Sequence, residues 1–110
     1  MELHIKDRLY LQQILPGQTK SFIDFNVKRS IIKKIALTEK DQKEFKIEED
    51  AESHRVTWNA AKDAKSPIKV DFTTDEMTML KNACEQLPET AYPDDFWLTV
   101  EKIYNAASSN

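Results

Sequence analysis

Apolar residues recur with a helical period at both ends of this chain and alternate with polar residues in its middle. Leu11, Ile14 and Leu15 share a helical face within residues 7–15, and Pro16-Gly17 closes that segment with a breaker and a turn. Upstream, Leu3 and Ile5 alternate with polar neighbours, which leaves residues 2–6 open as a brief strand or as the start of the helix. From Ser21 to Ala36, the residues Ile23, Val27, Ile31 and Ile35 step by four with Ile32 beside them, so one apolar stripe is predicted on a helix. Asp24 and Lys28 add an acid-before-base pair at i,i+4. Thr38 is placed to cap a short polar helix over 39–44.

The period changes at Phe45. Phe45 and Ile47 alternate with Lys46 and Glu48, Val56 and Trp58 with Arg55 and Thr57, and Ile68, Val70 and Phe72 with Lys69 and Asp71. Three strands are predicted. The polar connection over 49–54 has hairpin size, so the first two pair antiparallel, and residues 59–66 link the second strand to the third. Each strand keeps its charges on one side, which gives a wet sheet face carrying Lys46, Glu48, Arg55, Lys69 and Asp71.

Thr73-Thr74-Asp75-Glu76 reads as a capping box, stapled by Phe72 and Met77, at the start of a helix over 74–87. Met77, Leu80, Cys84 and Leu87 share its inner face, and Pro88 ends it. Pro93 and Asp94 open a last helix whose buried side holds Phe96, Trp97, Val100, Ile103 and Tyr104. The expected fold class is α+β, with N-terminal helices, a three-stranded antiparallel meander with one wet face and two C-terminal helices. A single domain over 1–110 is expected, made of a helical part (2–44), a sheet (45–72) and two helices (73–107).

The composition removes several classes of function. One Gly in 110 residues cannot build a phosphate-cradling loop or a dinucleotide fingerprint, both of which need several glycines for close backbone approach. The lone Cys84 allows no internal disulfide and no finger- or ribbon-type zinc site, which fits a reducing compartment. No apolar run is long enough for a membrane span, and charges occupy the first eight residues where a signal peptide would be apolar, so a cytoplasmic protein is expected. The net charge of -3 hides a polarity along the chain. Residues 1–34 hold seven Lys and Arg against three Asp and Glu, a balance of +4 that leaves -7 for the remainder.

No arrangement of residues announces catalysis, so no enzyme, cofactor or metal site is expected. His4 and His54 are fifty residues apart with no further ligand at metal spacing. Cys84 lies between Leu80 and Leu87 on an apolar face and reads as a core thiol rather than a nucleophile. Adjacent acids such as Glu48-Glu49 and Asp94-Asp95 diverge in space and form no general acid–base dyad. Two candidate surfaces remain. Tyr92, Phe96 and Trp97 are aromatic anchors of the kind that dominate protein interfaces, with 92–96 the segment most expected to be exposed. Lys28, Arg29, Lys33 and Lys34 form a basic row able to track phosphates, although Lys33 and Lys34 also lie near the helix C-terminus, where cations favourably meet the negative end of the macrodipole. Helices followed by a hairpin also suggest a winged helix-turn-helix, but its recognition element would be 39–44, with three acids against two lysines.

Leu11-x-x-Ile14-Leu15-Pro16, Thr38-Glu39, Phe45-x-Ile47, Thr57-Trp58-Asn59 and Val70-Asp71-Phe72 together resemble small uncharacterised proteins encoded by phages and prophages, similar in length and element order. The resemblance implies such an origin and brings no activity or ligand with it. The expectation is a non-enzymatic accessory module that binds a protein partner or associates with itself. The alternative is a nucleic-acid-binding regulator using the basic row, and no membrane role is expected.

Overall fold

The N-terminus forms a short strand β1 (Glu2–Leu3), followed by α1 (Ile5–Ile14), α2 (Phe22–Ile35) and α3 (Glu39–Glu44) in the computed structural model, which describes residues 1–53 and 55–108. The middle holds β2 (Glu48–Glu49), β3 (Val56–Thr57), α4 (Ala60–Lys65) and β4 (Ile68–Lys69), and the chain ends in α5 (Thr74–Glu85) and α6 (Asp94–Ser108). The mixture of helix and strand agrees with an α+β class. The helices expected over 7–15, 21–36, 39–44 and 74–87 are all present, with ends shifted by a residue or two.

The caps follow the side chains. Thr73 Oγ1 accepts from Glu76 N–H at 3.2 Å while Thr73 N–H donates to Glu76 Oε1 at 2.7 Å, the reciprocal box expected at the start of α5. Thr38 and Asp41 build the same box for α3, and Ser21 caps α2 by accepting from Asp24 N–H at 3.1 Å. α3 ends where Lys46 adopts φ 52°, and Ile47 N–H closes back on the Gln42 carbonyl at 3.0 Å. That six-to-one bond and left-handed residue make a Schellman stop, a position that favours Gly but here holds Lys46. Lys46 is therefore a helix terminator, not the strand residue that the alternation predicted.

The meander is replaced by two separate two-stranded sheets. β2 and β3 pair antiparallel as expected, Glu48 opposite Thr57 and Glu49 opposite Val56, but the first strand lies at Glu48–Glu49 and not at 45–48, because Phe45 caps α3 and its stop takes up Lys46 and Ile47. β4 instead pairs antiparallel with β1, Glu2 opposite Lys69 and Leu3 opposite Ile68, and Met1 and Val70 extend the ladder from either side. The cause lies in the link read as a simple connection. Asn59 caps it by accepting from Lys62 N–H at 3.1 Å, so residues 60–65 become α4 and carry the chain away from the hairpin. Buried Asp63 then accepts from Ile5 N–H at 3.0 Å, and the Asp63 carbonyl lies 3.0 Å from His4 Nδ1. Those bonds bring the following strand to the N-terminus. The five charged residues expected on one wet face are all exposed, but they are divided between two sheets and the loops beside them.

A single hydrophobic cluster joins Leu3, Leu11, Ile14 and Leu15 to Ile31 and Ile35, to Val70 and Leu80, and to Phe96, Ile103 and Ala107. Tyr10 meets the Phe96 ring edge-on at a centroid distance of 5.3 Å, which locks α1 to α6. Buried charges cross the same interior. Asp7 accepts from Thr99 Oγ1 and Lys102 Nζ, each at 2.8 Å, and from His4 N–H at 3.0 Å. Arg8 donates from Nε to the Ile35 carbonyl at 2.9 Å and from Nη2 to the Ala36 carbonyl at 2.6 Å and Asp41 Oδ2 at 3.0 Å.

Candidate functional site

The predicted inner stripe of α2 is buried at one end only. Ile31 and Ile35 are fully enclosed, Val27 is half-buried, and Ile23 is exposed. Arg8 holds the C-terminal end of the helix through the last two carbonyls, where a cation also meets the negative end of the helix dipole. The N-terminal half instead stands off from α5, with Ile23 and Val27 lining an open groove of about 360 Å³ toward Thr78, Met79 and Asn82.

A second apolar row lies on the outer side of α2. Phe22, Phe25, Arg29 and Ile32 follow at intervals of three, four and three and so share one face. Phe22 is 77% exposed, Ile23 72%, Phe25 46% and Ile32 38%. At about 200 Å² for a large side chain, Phe22, Phe25 and Ile32 present roughly 320 Å² of apolar surface on this face, within the range that marks the functional patch of a monomer, whereas Ile23 belongs to the groove side. The face is ordered internally. The Phe22 and Phe25 rings stack at 6.5 Å with an interplanar angle of 26°, and the Arg29 guanidinium sits 5.5 Å from the Phe25 centroid while donating to Asn26 Oδ1 at 3.1 Å. Lys28 and Lys33 flank the row with positive charge, on either side of Arg29 within it.

The basic row expected for phosphate contact is split by the fold. Lys34 turns inward, where its Nζ donates to the buried carboxylate of Glu76 and, at 2.9 Å, to the Asp71 carbonyl, and lies 5.7 Å from the Phe72 ring centroid. Burial works to raise the Glu76 pKa, but the Lys34 ammonium and the Thr73 amide outweigh it and hold the carboxyl below its ordinary range. Lys34 is thus committed to the interior network, whereas Lys28, Arg29 and Lys33 stay on the surface of α2.

The aromatic candidates divide as well. Phe96 is enclosed in the core, so its ring supports the site from beneath rather than offering itself to a partner. Half-buried Tyr92 stacks on Phe96 at 4.1 Å, and Trp97 meets both rings edge-on, at 5.3 Å from Tyr92 and 5.6 Å from Phe96. Trp97 is exposed, against its expected place on the buried side of the last helix, and exposed Leu98 follows it. The reason is one of angle: Phe96, Thr99, Ile103 and Ala107 form the buried stripe, and position 97 falls about 100° off Phe96.

Inspection of the sequence passed over Phe22, Phe25 and Leu98. The signal for the first two was legible as a second row at 22, 25, 29 and 32, opposite the row at 23, 27, 31 and 35. A helix with two apolar rows cannot bury both against one neighbour. Outside this face, Cys84 is half-buried, with its Sγ 3.9 Å from the Val100 carbonyl. Burial, with Glu85 beside it, pushes the thiol up to about 11. His4 is tied to Asp63, and His54 lies outside the described residues. Among the described residues no group of three His, Cys, Asp or Glu is placed to hold a metal ion, and no helix is long and apolar enough to cross a membrane. No family model, curated protein or solved structure matches the chain.

Proposed function

We propose that this protein is a non-enzymatic interaction module, an accessory protein of the phage and prophage class it resembles, and that it binds protein through the outer face of α2. One observation carries the reading: Phe22, Phe25 and Ile32 are exposed together on one face of a helix whose C-terminal end is firmly clamped. Covering roughly 320 Å² of apolar surface is worth about 8 kcal/mol at 25 cal/mol per Å², before the cost of ordering two molecules against each other. Arg29 on the Phe25 ring adds an anchor of the type common in interface hot spots, and Lys28 and Lys33 supply a cationic rim. Trp97 and Leu98 form a second, smaller outlet on α6.

The test compares the wild type with Phe22→Ser, Phe25→Ser and Arg29→Glu/Lys33→Glu in binding to proteins and nucleic acids of the native host, with and without nuclease. Loss of a stoichiometric protein contact in both Phe variants, unaffected by nuclease, supports the reading. Retention of nucleic acid that survives both Phe changes and disappears with Arg29→Glu/Lys33→Glu, with a reduced salt slope, replaces it by the phosphate-binding alternative.

A further inference from the structure

We infer that the occupant of the α2 face is an acidic amphipathic helix of another protein, packed along the row Phe22, Phe25, Arg29, Ile32. The inference rests on the interaction reading above and names the chemistry of its partner. Three-four-three is the spacing of the a and d positions in a seam between two helices, which puts Phe22 and Arg29 at a, and Phe25 and Ile32 at d. In that frame Lys28 falls at g and Lys33 at e, the two positions that border a partner helix and select its charge. From Phe22 to Ile32 the seam is about 15 Å long at 1.5 Å per residue, so it takes about three turns of the partner.

Charge selects the occupant. The chain carries a net charge of -3, yet this face of α2 has no Asp or Glu, and the one acid of the helix, Asp24, lines the groove on the other side. Among the described residues none of Lys28, Arg29 and Lys33 is in an ion pair, whereas Lys6, Arg8, Lys34 and Lys102 each meet a carboxylate. Lys28 Nζ reaches the Gly17 carbonyl at 3.5 Å, and Arg29 reaches Asn26 Oδ1 and the Phe25 ring. Glu or Asp at the e and g positions of a partner helix supplies the carboxylates that these cations lack, and a basic helix sets cation against cation. A second copy fails for that reason, since a parallel pair opposes Lys28 to Lys33 and an antiparallel pair opposes Lys28 to Lys28. A phosphate backbone would leave the Phe and Ile side chains wet, and a bilayer would have to take Arg29 between Phe25 and Ile32. The size suits one docked helix. Roughly 320 Å² of apolar surface, extended by the stems of Lys28 and Lys33, falls short of the 800 Å² or so that a stable globular pair takes from each partner, and it predicts a micromolar complex.

Selection from a displayed library of helical peptides, about fifteen residues long, apolar at a and d and with Glu and Lys equally represented at e and g, tests the inference. The whole chain is the bait at near-physiological salt. The wild type should enrich Glu at e and g, Phe22→Ser and Phe25→Ser should enrich neither charge, and Lys28→Glu/Lys33→Glu should enrich Lys, with thermal melts unchanged for the 77% exposed Phe22 position and for the charge reversal. A selected acidic peptide should bind the charge-reversed variant roughly tenfold more weakly than the wild type, a gap that narrows at high salt. Enrichment of Lys by the wild type, enrichment indifferent to charge, or no enrichment that depends on Phe22 overturns the inference. So does sedimentation of the wild type as a dimer, or with phosphatidylserine vesicles, if Phe22→Ser abolishes it. If a native-host protein is lost on Phe22→Ser but retained by Lys28→Glu/Lys33→Glu, the acidic helix falls and the interaction reading stands. If neither peptide nor host protein depends on Phe22, both fall.

Discussion

Replacing Arg8 with methionine should cost the folded state about 3 kcal/mol. Methionine preserves much of the aliphatic packing but removes every donor. The Ile35 carbonyl is buried and the Ala36 carbonyl partly so, and each loses a charge-assisted bond, of 2.9 and 2.6 Å, at a cost of roughly 1 to 1.5 kcal/mol. The 3.0 Å link to Asp41 adds less than about 1 kcal/mol, because that carboxylate is 16% exposed and partly screened. Urea unfolding at neutral pH, followed by tryptophan fluorescence and far-UV circular dichroism, should show a midpoint lower by about 2 M if m is near 1.5 kcal/mol/M. Arg8→Lys should recover only part of the loss, since an ammonium cannot reproduce the planar fork that reaches two carbonyls and a carboxylate. Asp41→Asn should cost under about 1 kcal/mol on the same grounds. A loss below about 1 kcal/mol for Arg8→Met would refute the view that this guanidinium clamps the C-terminal end of α2.

Four further outcomes follow from the same geometry. Lys34→Met should destabilise by about 2 kcal/mol because it strands the buried Glu76 carboxylate, whereas Lys33→Met should change stability by less than about 0.5 kcal/mol; equal effects in urea titrations would contradict the split of the basic row. Burial tends to raise Asp7 and Asp41, but the Lys102 and His4 bonds at the first, and the Thr38 and Arg8 bonds at the second, leave both below the ordinary carboxylate range, as Glu76 also is. Their stabilisation is therefore complete above about pH 5, begins to fall as the unfolded carboxyls protonate and is lost as pH drops through the lowered folded values, so melts from pH 7 to pH 2 should fall progressively below about pH 5. Cys84, pushed up to about 11, should react slowly with a thiol reagent at pH 7.5 in the native protein and quickly in urea; fast native labelling would contradict its placement. Lys46→Gly should stabilise the fold by about 0.5 to 1 kcal/mol by relieving the left-handed backbone after α3, and a destabilised variant would argue against the Schellman stop.

Local signals determined the helices. Ser21, Thr38 and Thr73 each place an acceptor one turn before the amide they cap, a relation complete within four residues, and Pro16 and Pro88 mark ends that no tertiary contact needs to supply. The β2–β3 pairing was legible for the same reason, since a short polar connection between two alternating runs leaves few other ways to pair. Tertiary structure decided the rest. β4 lies beside β1 because Asp63 binds Ile5 across 58 residues, and nothing in the alternation of Ile68 and Val70 names the strand they must meet. Asp7 and Arg8 appeared as charges at the start of a helix and became its most buried polar groups, because their partners Thr99, Lys102, Ile35 and Ala36 are distant in sequence. The candidate site shows the division most clearly. Spacing alone puts Phe22, Phe25, Arg29 and Ile32 on one face and Ile23, Val27, Ile31 and Ile35 on another, but which face is covered, and for how much of its length, depends on where α5 and the Arg8 clamp meet the helix. Periodicity is a property of one helix, whereas exposure belongs to the helix together with its neighbours.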